Sequence, residues 1–315
     1  MPTQAPFPVN PVLTAIALSY TNAQLIADMV LPRVAAHDSF FYMKHNKDEA
    51  FTVPDTAIGR KSEATVVEFG ATRVDDSTQD YGLKDAVPLG DLRKAEGTKI
   101  DPLGNATSKT TSLIQLGREI RVANLVFNAT QYATGNKATL SGTSQWSDYT
   151  NSNPLSAMLD AMDSMIMRPN AMVIGQAAWT KLRQHPRIIE AVKGTGAGLE
   201  SQGMISRQQL ADLLELENIY VGQGFVNTAK KGAAASYSRV WGKHCSLIHQ
   251  QPVNDSGDGT TTFGFTAESG GGLRVRDWLD EKIGADGAQV VQVVDTVKEV
   301  IVANDLGYLF TNAVA

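Results

Sequence analysis

The chain has 315 residues, 43% of them hydrophobic and 19% charged, so it can bury a sizeable core and is not a charged, solvated coil. With 28 basic against 33 acidic residues the net charge is −5, and no run of five or six like charges occurs, which excludes a nucleic-acid arm and a polybasic membrane patch. Cys245 is the sole cysteine, which excludes an intramolecular disulfide and a thiolate metal cluster within one chain. Single cores stop growing near ~250–300 residues, so two lobes are expected, the second one discontinuous. The opening MPTQAPFPVNPVL has neither a basic n-region nor an apolar h-region, and no window of about 18 apolar residues follows it. Secretion and membrane insertion are not expected, and cytoplasmic production is.

In chain order, Pro2, Pro6, Pro8 and Pro11 remove backbone donors and hold the first dozen residues extended. Residues 1–38 read as an arm with Phe7, Val9, Val12 and Leu13 to lay down, or equally as a frayed terminus. A short helix within 14–31 would stop at Pro32. From 39 to 95 the clusters FFYMKH, FTVPDTAIG, TVVEFGATRV and YGLKDAVPLG alternate with Gly, Pro, Asp and Ser, the pattern of strands and turns. These residues hold too few apolar side chains to close a core of their own. A protruding hairpin and a surface-exposed antiparallel sheet fit the pattern alike.

Residues 96–150 open with a long amphipathic pattern in which Leu113, Leu116, Ile120, Ala123 and Phe127 recur at three and four, leaving Gln115, Arg118, Arg121 and Asn128 on the far side. The helix is predicted from near Thr107 to before Gly135, roughly 25 residues and ~40 Å long. SQWSDYTNSNP follows, a polar joint with Trp146 and Tyr149 as candidate packing groups. In 151–250 the order is a Met-rich helix from Pro154, a buried strand at Met172–Ile174, a helix with Trp179 and Leu182, and a glycine-rich loop at 194–203. Ser206 with Gln209 then forms a capping box for a further helix, and NIYVG, RVWG and SLIHQ supply strands. This is a compact α/β lobe. Residues 251–315 return to β structure, with AQVVQVVDTVKEVIVAN read as two long strands joined near Asp295–Thr296 under the long helix.

No chemistry-bearing constellation emerges. Gly194-Thr195-Gly196-Ala197-Gly198 lacks the spacing of a dinucleotide fingerprint and follows a helix. Nucleophile-elbow, Walker and His-Glu-x-x-His motifs are absent. His244-Cys245 is the sole His/Cys adjacency, and it reads more readily as a small buried thiol in a strand than as half of a nucleophile pair. No catalytic residue, cofactor or metal site is expected.

SGTSQWSDYTNSNP, the Met-rich helix, RPNAMVIGQAAWTKLRQHPRI, QLADLLELENIYVG, RVWGKHCSLIH and the ending VIVANDLGYLFTNAV together resemble, in order and spacing, the major capsid proteins of tailed bacteriophages. The resemblance spans roughly residues 35–313. It implies an α+β, Hong-Kong-97-like capsid fold with an N-terminal arm, an extended β-hairpin loop, a long spine helix at 105–134, a peripheral-domain sheet and an axial α/β domain. It implies a structural subunit of an icosahedral head, assembling with itself as pentamers and hexamers around DNA held by weak nonspecific contact, built in the host bacterial cytoplasm. Separate scaffold, portal and decoration proteins are the expected partners, and no membrane is. Phe51, Val67 and Phe69 are the expected intersubunit apolar contacts, with Arg60, Lys61 and Arg73 as polar neighbours. Some relatives crosslink this loop, and Lys61 is either a participant in such a bond or a solvated lysine. Trp146 and Tyr149 would pack at the hinge between domains. An encapsulin-like compartment shell and a cytoplasmic α/β enzyme using 154–250 are the alternatives.

Overall fold

A computed structural model describes residues 25–45, 51–67, 70–96, 101–193, 203–230, 232–253 and 261–315. The first half runs α1 (Ala27–Val30), β1 (Arg33–Ala35), β2 (Ser39–His45), β3 (Ala71–Ser77), β4 (Gln79–Pro88), α2 (Leu89–Ala95), α3 (Pro102–Val126), β5 (Lys137–Thr139) and α4 (Pro154–Ser164). Then come β6 (Ala171–Gly175), α5 (Gln176–Leu182), α6 (Pro186–Lys193), α7 (Arg207–Leu214), β7 (Asn218–Gly222), β8 (Phe225–Asn227) and β9 (Tyr237–Arg239). The chain closes with β10 (Cys245–Ile248), β11 (Gly264–Glu268), β12 (Arg274–Asp280), β13 (Ala288–Ile301) and β14 (Gly307–Thr311).

The spine is α3, 25 residues long. Pro102 occupies its first turn, where no donor is missed, and Asp101 Oδ1 accepts from the N–H groups of Leu103 at 3.1 Å and Gly104 at 3.0 Å. It starts and ends earlier than the apolar spacing predicted, stopping at Phe127. Its buried face also differs from the predicted stripe: Thr107, Thr111, Ile114, Arg118, Val122 and Val126 face inward, whereas Leu113 is 58% exposed and Leu116 and Ile120 are half-buried. The reason is polar pairing. Thr107 and Thr110 hydroxyls donate to the carbonyls of Leu103 and Ala106, and Arg118 and Glu119 meet partners from distant segments, which offsets much of the cost of their burial, while the buried Thr111 hydroxyl makes no hydrogen bond among the described residues.

Beneath the spine lies the first sheet, organised on β13. This is one uninterrupted 14-residue strand, where two joined near Asp295–Thr296 were predicted. One edge of β13 pairs antiparallel with β4, from Ala288↔Pro88 to Val297↔Gln79. The other edge takes β12 along 288–294 and then β11 along 297–301, and β1 adds to β11 in parallel. Ile114 of the spine packs on Val275, Val291 and Val293, sealing a small core under the helix.

The second sheet has the order β5-β14-β10-β6-β7. Residues 251–315 therefore do not all return to the first sheet: β14 lies between β5 and β10, in the lobe built mainly from 171–248. Its alternation feeds two cores. Met172 and Ile174 of β6 face α4 to α7 together with Trp146, Trp179 and Phe310, whereas Ala171 and Val173 face Val122 and Val126 of the spine, Leu31 and Trp241. The capping box predicted at α7 is present, with Gln209 N–H to Ser206 Oγ at 3.2 Å and Ser206 N–H to Gln209 Oε1 at 2.9 Å. The glycine-rich loop at 194–202 and the proline-rich segment lie outside the described residues.

Strands β2 and β3 form a separate antiparallel ribbon, Ser39↔Ser77 to His45↔Ala71. Its root, Phe40 and Tyr42, packs on Phe265, Ala267 and Val300. Beyond the paired part, residues 51–67 hold no strand, and all of them are exposed. The extended loop thus has a two-stranded base and an irregular far end.

Candidate assembly surfaces

The arm enters the described structure at its root, and there it is fastened to its own subunit. Glu119 on the spine accepts from the N–H of Ile26 at 2.9 Å and of Ala27 at 2.8 Å, and its other contact is the indole N–H of Trp241. Burial pushes this carboxyl above the usual range, and the three donors and Arg118 pull against that rise. Trp241 is fully buried, edge-on to Phe127 at 5.4 Å, and its ring lies where any Cβ on Gly222 would be. One buried carboxylate thereby ties the arm root, the spine and the axial lobe together. Within the subunit the N–H groups of Ile26 and Ala27 are thus already satisfied, which holds the arm root at home.

A second knot secures the exit of the same segment. Arg33 contacts Asp28 at 2.8 Å, Glu268 at 2.7 Å and Asp295 at 3.0 Å, the last carboxylate being 1% exposed. Burial opposes charge on Arg33, but Asp295, Asp28 and Glu268 outweigh it and hold the guanidinium protonated more firmly than usual. Burial likewise opposes charge on Asp28, yet Arg118 and Arg33 hold its carboxyl below the usual range. Arg118 also donates to Thr266 Oγ1 at 3.0 Å, and Arg121 pairs with Glu299 at 2.9 Å while lying 3.6 Å from the Tyr81 ring centroid. Sequence spacing placed Arg118 on the far side of the helix, where the structure buries it, and did not single out Arg33, Glu119 or Trp241. The signal available was a charged pair, Arg118-Glu119, in mid-helix.

The loop is the opposite case. Phe51 is 65%, Val53 82%, Ile58 61%, Val66 87% and Val67 44% exposed. Arg60 and Lys61 sit in an exposed turn closed by the Ser62 N–H to the Gly59 carbonyl, 3.0 Å. The Thr65 hydroxyl donates to the Asp55 carbonyl at 3.2 Å, folding the far end back on itself. Arg73, at the base, pairs with Asp75 and stacks 4.3 Å from the Phe41 ring centroid. Phe69 lies outside the described residues. The structure brings the loop candidates onto one projection, with Arg73 near its root.

Trp146 sits in the outer core of the axial lobe, 5.5 Å from Phe310, with its N–H donating to the Ala313 carbonyl at 2.8 Å. Tyr149 lies edge-on to His185 at 5.4 Å, and its hydroxyl donates to the Lys181 carbonyl at 3.4 Å. Both fasten the 141–153 segment to that lobe, whereas the contact between lobes is made by Trp241 and its neighbours. Cys245 is buried in β10 with its thiol pushed well up by burial, and the His244 ring accepts from the Asn312 N–H at 3.1 Å, so the pair is not poised for nucleophilic attack. Among the described residues no group of His, Cys, Asp and Glu is placed to hold a metal ion, and no helix is long and apolar enough to cross a membrane.

This architecture of root, projecting ribbon, spine and two sheets has counterparts among known proteins. A major capsid protein of Pseudomonas phage JBD67 is 49% identical over 99% of both chains. The chain belongs to the phage major capsid proteins. Within this capsid subunit, residues 127–223 match the family model described as phage major capsid protein E. A phage-related protein from Bordetella bronchiseptica RB50 superposes with a TM-score of 0.77 at 22% identity, covering 98% of each chain. The mature capsid of bacteriophage PhiM1 gives 0.56 at 10% identity, covering 93% of this chain and 88% of that one. The fold is the α+β, Hong-Kong-97-like capsid fold, and the capsid protein is a structural component of the virion that associates with itself.

Proposed function

We propose that this subunit builds an icosahedral head as pentamers and hexamers, with the 51–67 projection of each copy resting on an adjoining one. The single observation that carries this is the exposure of Phe51, Val53, Ile58 and Val66 on a segment with no core of its own. At about 25 cal/mol per Å² of apolar area, covering such side chains at every neighbour contact sums to a cooperative shell. Arg60, Lys61 and Arg73 are polar neighbours of that contact and Val67 and Phe69 apolar ones; Trp146 and Tyr149 keep the 141–153 segment seated. The axial domain is then 151–250 extended by β5 and β14, and the peripheral domain is the spine with the first sheet. Separate scaffold, portal and decoration proteins, DNA held by weak nonspecific contact, and assembly in the bacterial cytoplasm complete the reading. A compartment shell rests on fold alone, whereas the phage-head reading has a full-length relative behind it.

Electron microscopy of the purified protein under assembly conditions tests this. Shells of regular diameter are expected from the wild type, and the triple variant Phe51→Ser, Val53→Ser, Ile58→Ser is expected to stay as folded, unassembled subunits. Shells formed by the triple variant with wild-type yield would refute the role given to the projection.

A further inference from the structure

Two uncovered surfaces of the axial lobe play no part in the contact just described. In the β8–β9 hairpin Phe225 stands opposite Arg239 and Asn227 opposite Tyr237, so these side chains share one face. Phe225 is 50% and Tyr237 70% exposed, and the Arg239 guanidinium lies 4.6 Å from the Phe225 ring centroid. Aromatic rings beside an arginine are the groups that anchor protein interfaces. Residues 225–239 include Lys230, Lys231 and Arg239 and no acidic residue. Helix α4 is the counterpart: Leu159 is 36% exposed, Ile166 just past its end is 45% exposed, and Asp160 and Asp163 stand exposed among them. Residues 154–167 include no basic residue.

The two surfaces lie apart on the lobe. Helix α4 packs on α6, α6 on α7 and α7 on β7, which leads within two residues into β8. We propose that the β8–β9 hairpin of one copy docks on the outer face of α4 of the next, aromatic against aliphatic and cation against carboxylate. This rests on the shell reading above and names the partner surfaces within one ring. Neither surface suits itself, since two hairpins would oppose cations and two α4 faces would oppose carboxylates. The contact is therefore heterologous, and a heterologous contact repeated by rotation closes a ring.

The test uses the full chain carrying Leu159→Cys and Tyr237→Cys together, with buried Cys245 left in place. Oxidation of assembled shells is expected to give a ladder of crosslinked oligomers ending in closed rings on non-reducing gels, while either single variant gives none. Arg239→Asp is expected to cut the assembled fraction about tenfold, and Asp163→Arg in the same chain to restore it. Shells that form but do not crosslink, a hairpin-to-hairpin dimer from Tyr237→Cys alone, or a charge swap without rescue each overturn the docking and leave the shell reading standing. A hairpin that instead takes DNA, with α4 variants silent, overturns it too. Failure of the wild type to form any shell removes both.

Discussion

The arm root and the loop both carry apolar side chains in the first quarter of the chain, yet their places in the subunit are opposite. Residues 25–35 are held by Glu119, Arg118, the Arg33 knot and parallel pairing to β11, and Val30 and Leu31 are fully buried. Residues 51–67 are exposed throughout. The difference lies in what faces each segment. The root meets a sheet edge, a buried carboxylate and an indole, so its donors are satisfied at home. The loop meets only its own turns and keeps its apolar side chains uncovered. A segment satisfied within its subunit stabilises the fold, and one left open is available to a partner.

That contrast can be broken experimentally, beginning where the effect on subunit stability is largest. Trp241→Ala empties the space between spine and axial lobe and strips Glu119 of its indole donor. It is expected to lower the unfolding free energy of unassembled subunits by roughly 3–5 kcal/mol in a denaturant titration. A change below about 1 kcal/mol would show that the lobes are held elsewhere.

Next in size is Arg33→Ala, which leaves the buried Asp295 carboxylate without its guanidinium. Removing one partner of a buried pair costs roughly 3–5 kcal/mol, and partial exposure of Arg33 puts this variant near the lower end. Hydrogen exchange should then quicken at the Leu31 N–H while Ile174 in β6 stays protected; equal protection at both would detach the knot from the arm root.

Acid acts on the axial lobe through His185. Burial first, and Arg187 second, hold this imidazole down to about 4, while its Nε2 lies 3.0 Å from the Ser152 hydroxyl. The unfolded chain takes up the proton near the ordinary 6.5, so this contribution to stability is complete above that pH and is lost as pH falls from 6.5 towards 4. Glu119 carries the opposite sign, since its raised carboxyl favours the folded state as it becomes protonated. Comparing wild type with His185→Asn isolates the imidazole: the variant's stability should change less between pH 6.5 and 4. Parallel curves would rule His185 out.

Smallest for the subunit is Phe51→Ser. It is expected to shift unfolding by less than about 0.5 kcal/mol, because no local core is disturbed, while shell yield drops. Should the variant unfold several kcal/mol more easily, the loop has an internal role and its contrast with the root disappears.

Sequence periodicity carried far along this chain, and its failures have physical causes. The Ser206 and Gln209 reciprocal cap, the strand around Met172 and the helix behind Pro154 depend on residues a few positions apart, and they stand where the pattern put them. The spine's burial face was misjudged because hydrophobicity was the only criterion. Arg118 and Glu119 bury because Asp28, Thr266, Ile26 and Trp241 meet them, and none of these pairings is visible until the chain is folded. The candidate joint shows the same limit. Trp146 and Tyr149 drew attention through their neighbours in the chain, whereas Trp241, packed against Gly222 and Glu119, is the ring between the lobes.

By itself the amino-acid order determined the type and order of most helices and strands, that no catalytic motif is written, and that one stretch lacks apolar residues enough to close on itself. Folding alone decided which side of the spine turns inward, that β14 joins the axial sheet, and that the arm root is captured while the loop stays open. The first set depends on steric and hydrogen-bond preferences acting over a few residues. The second depends on polar groups finding partners across the chain, as Glu119 does with Ile26 at 93 positions and with Trp241 at 122, where spacing along the sequence carries no information.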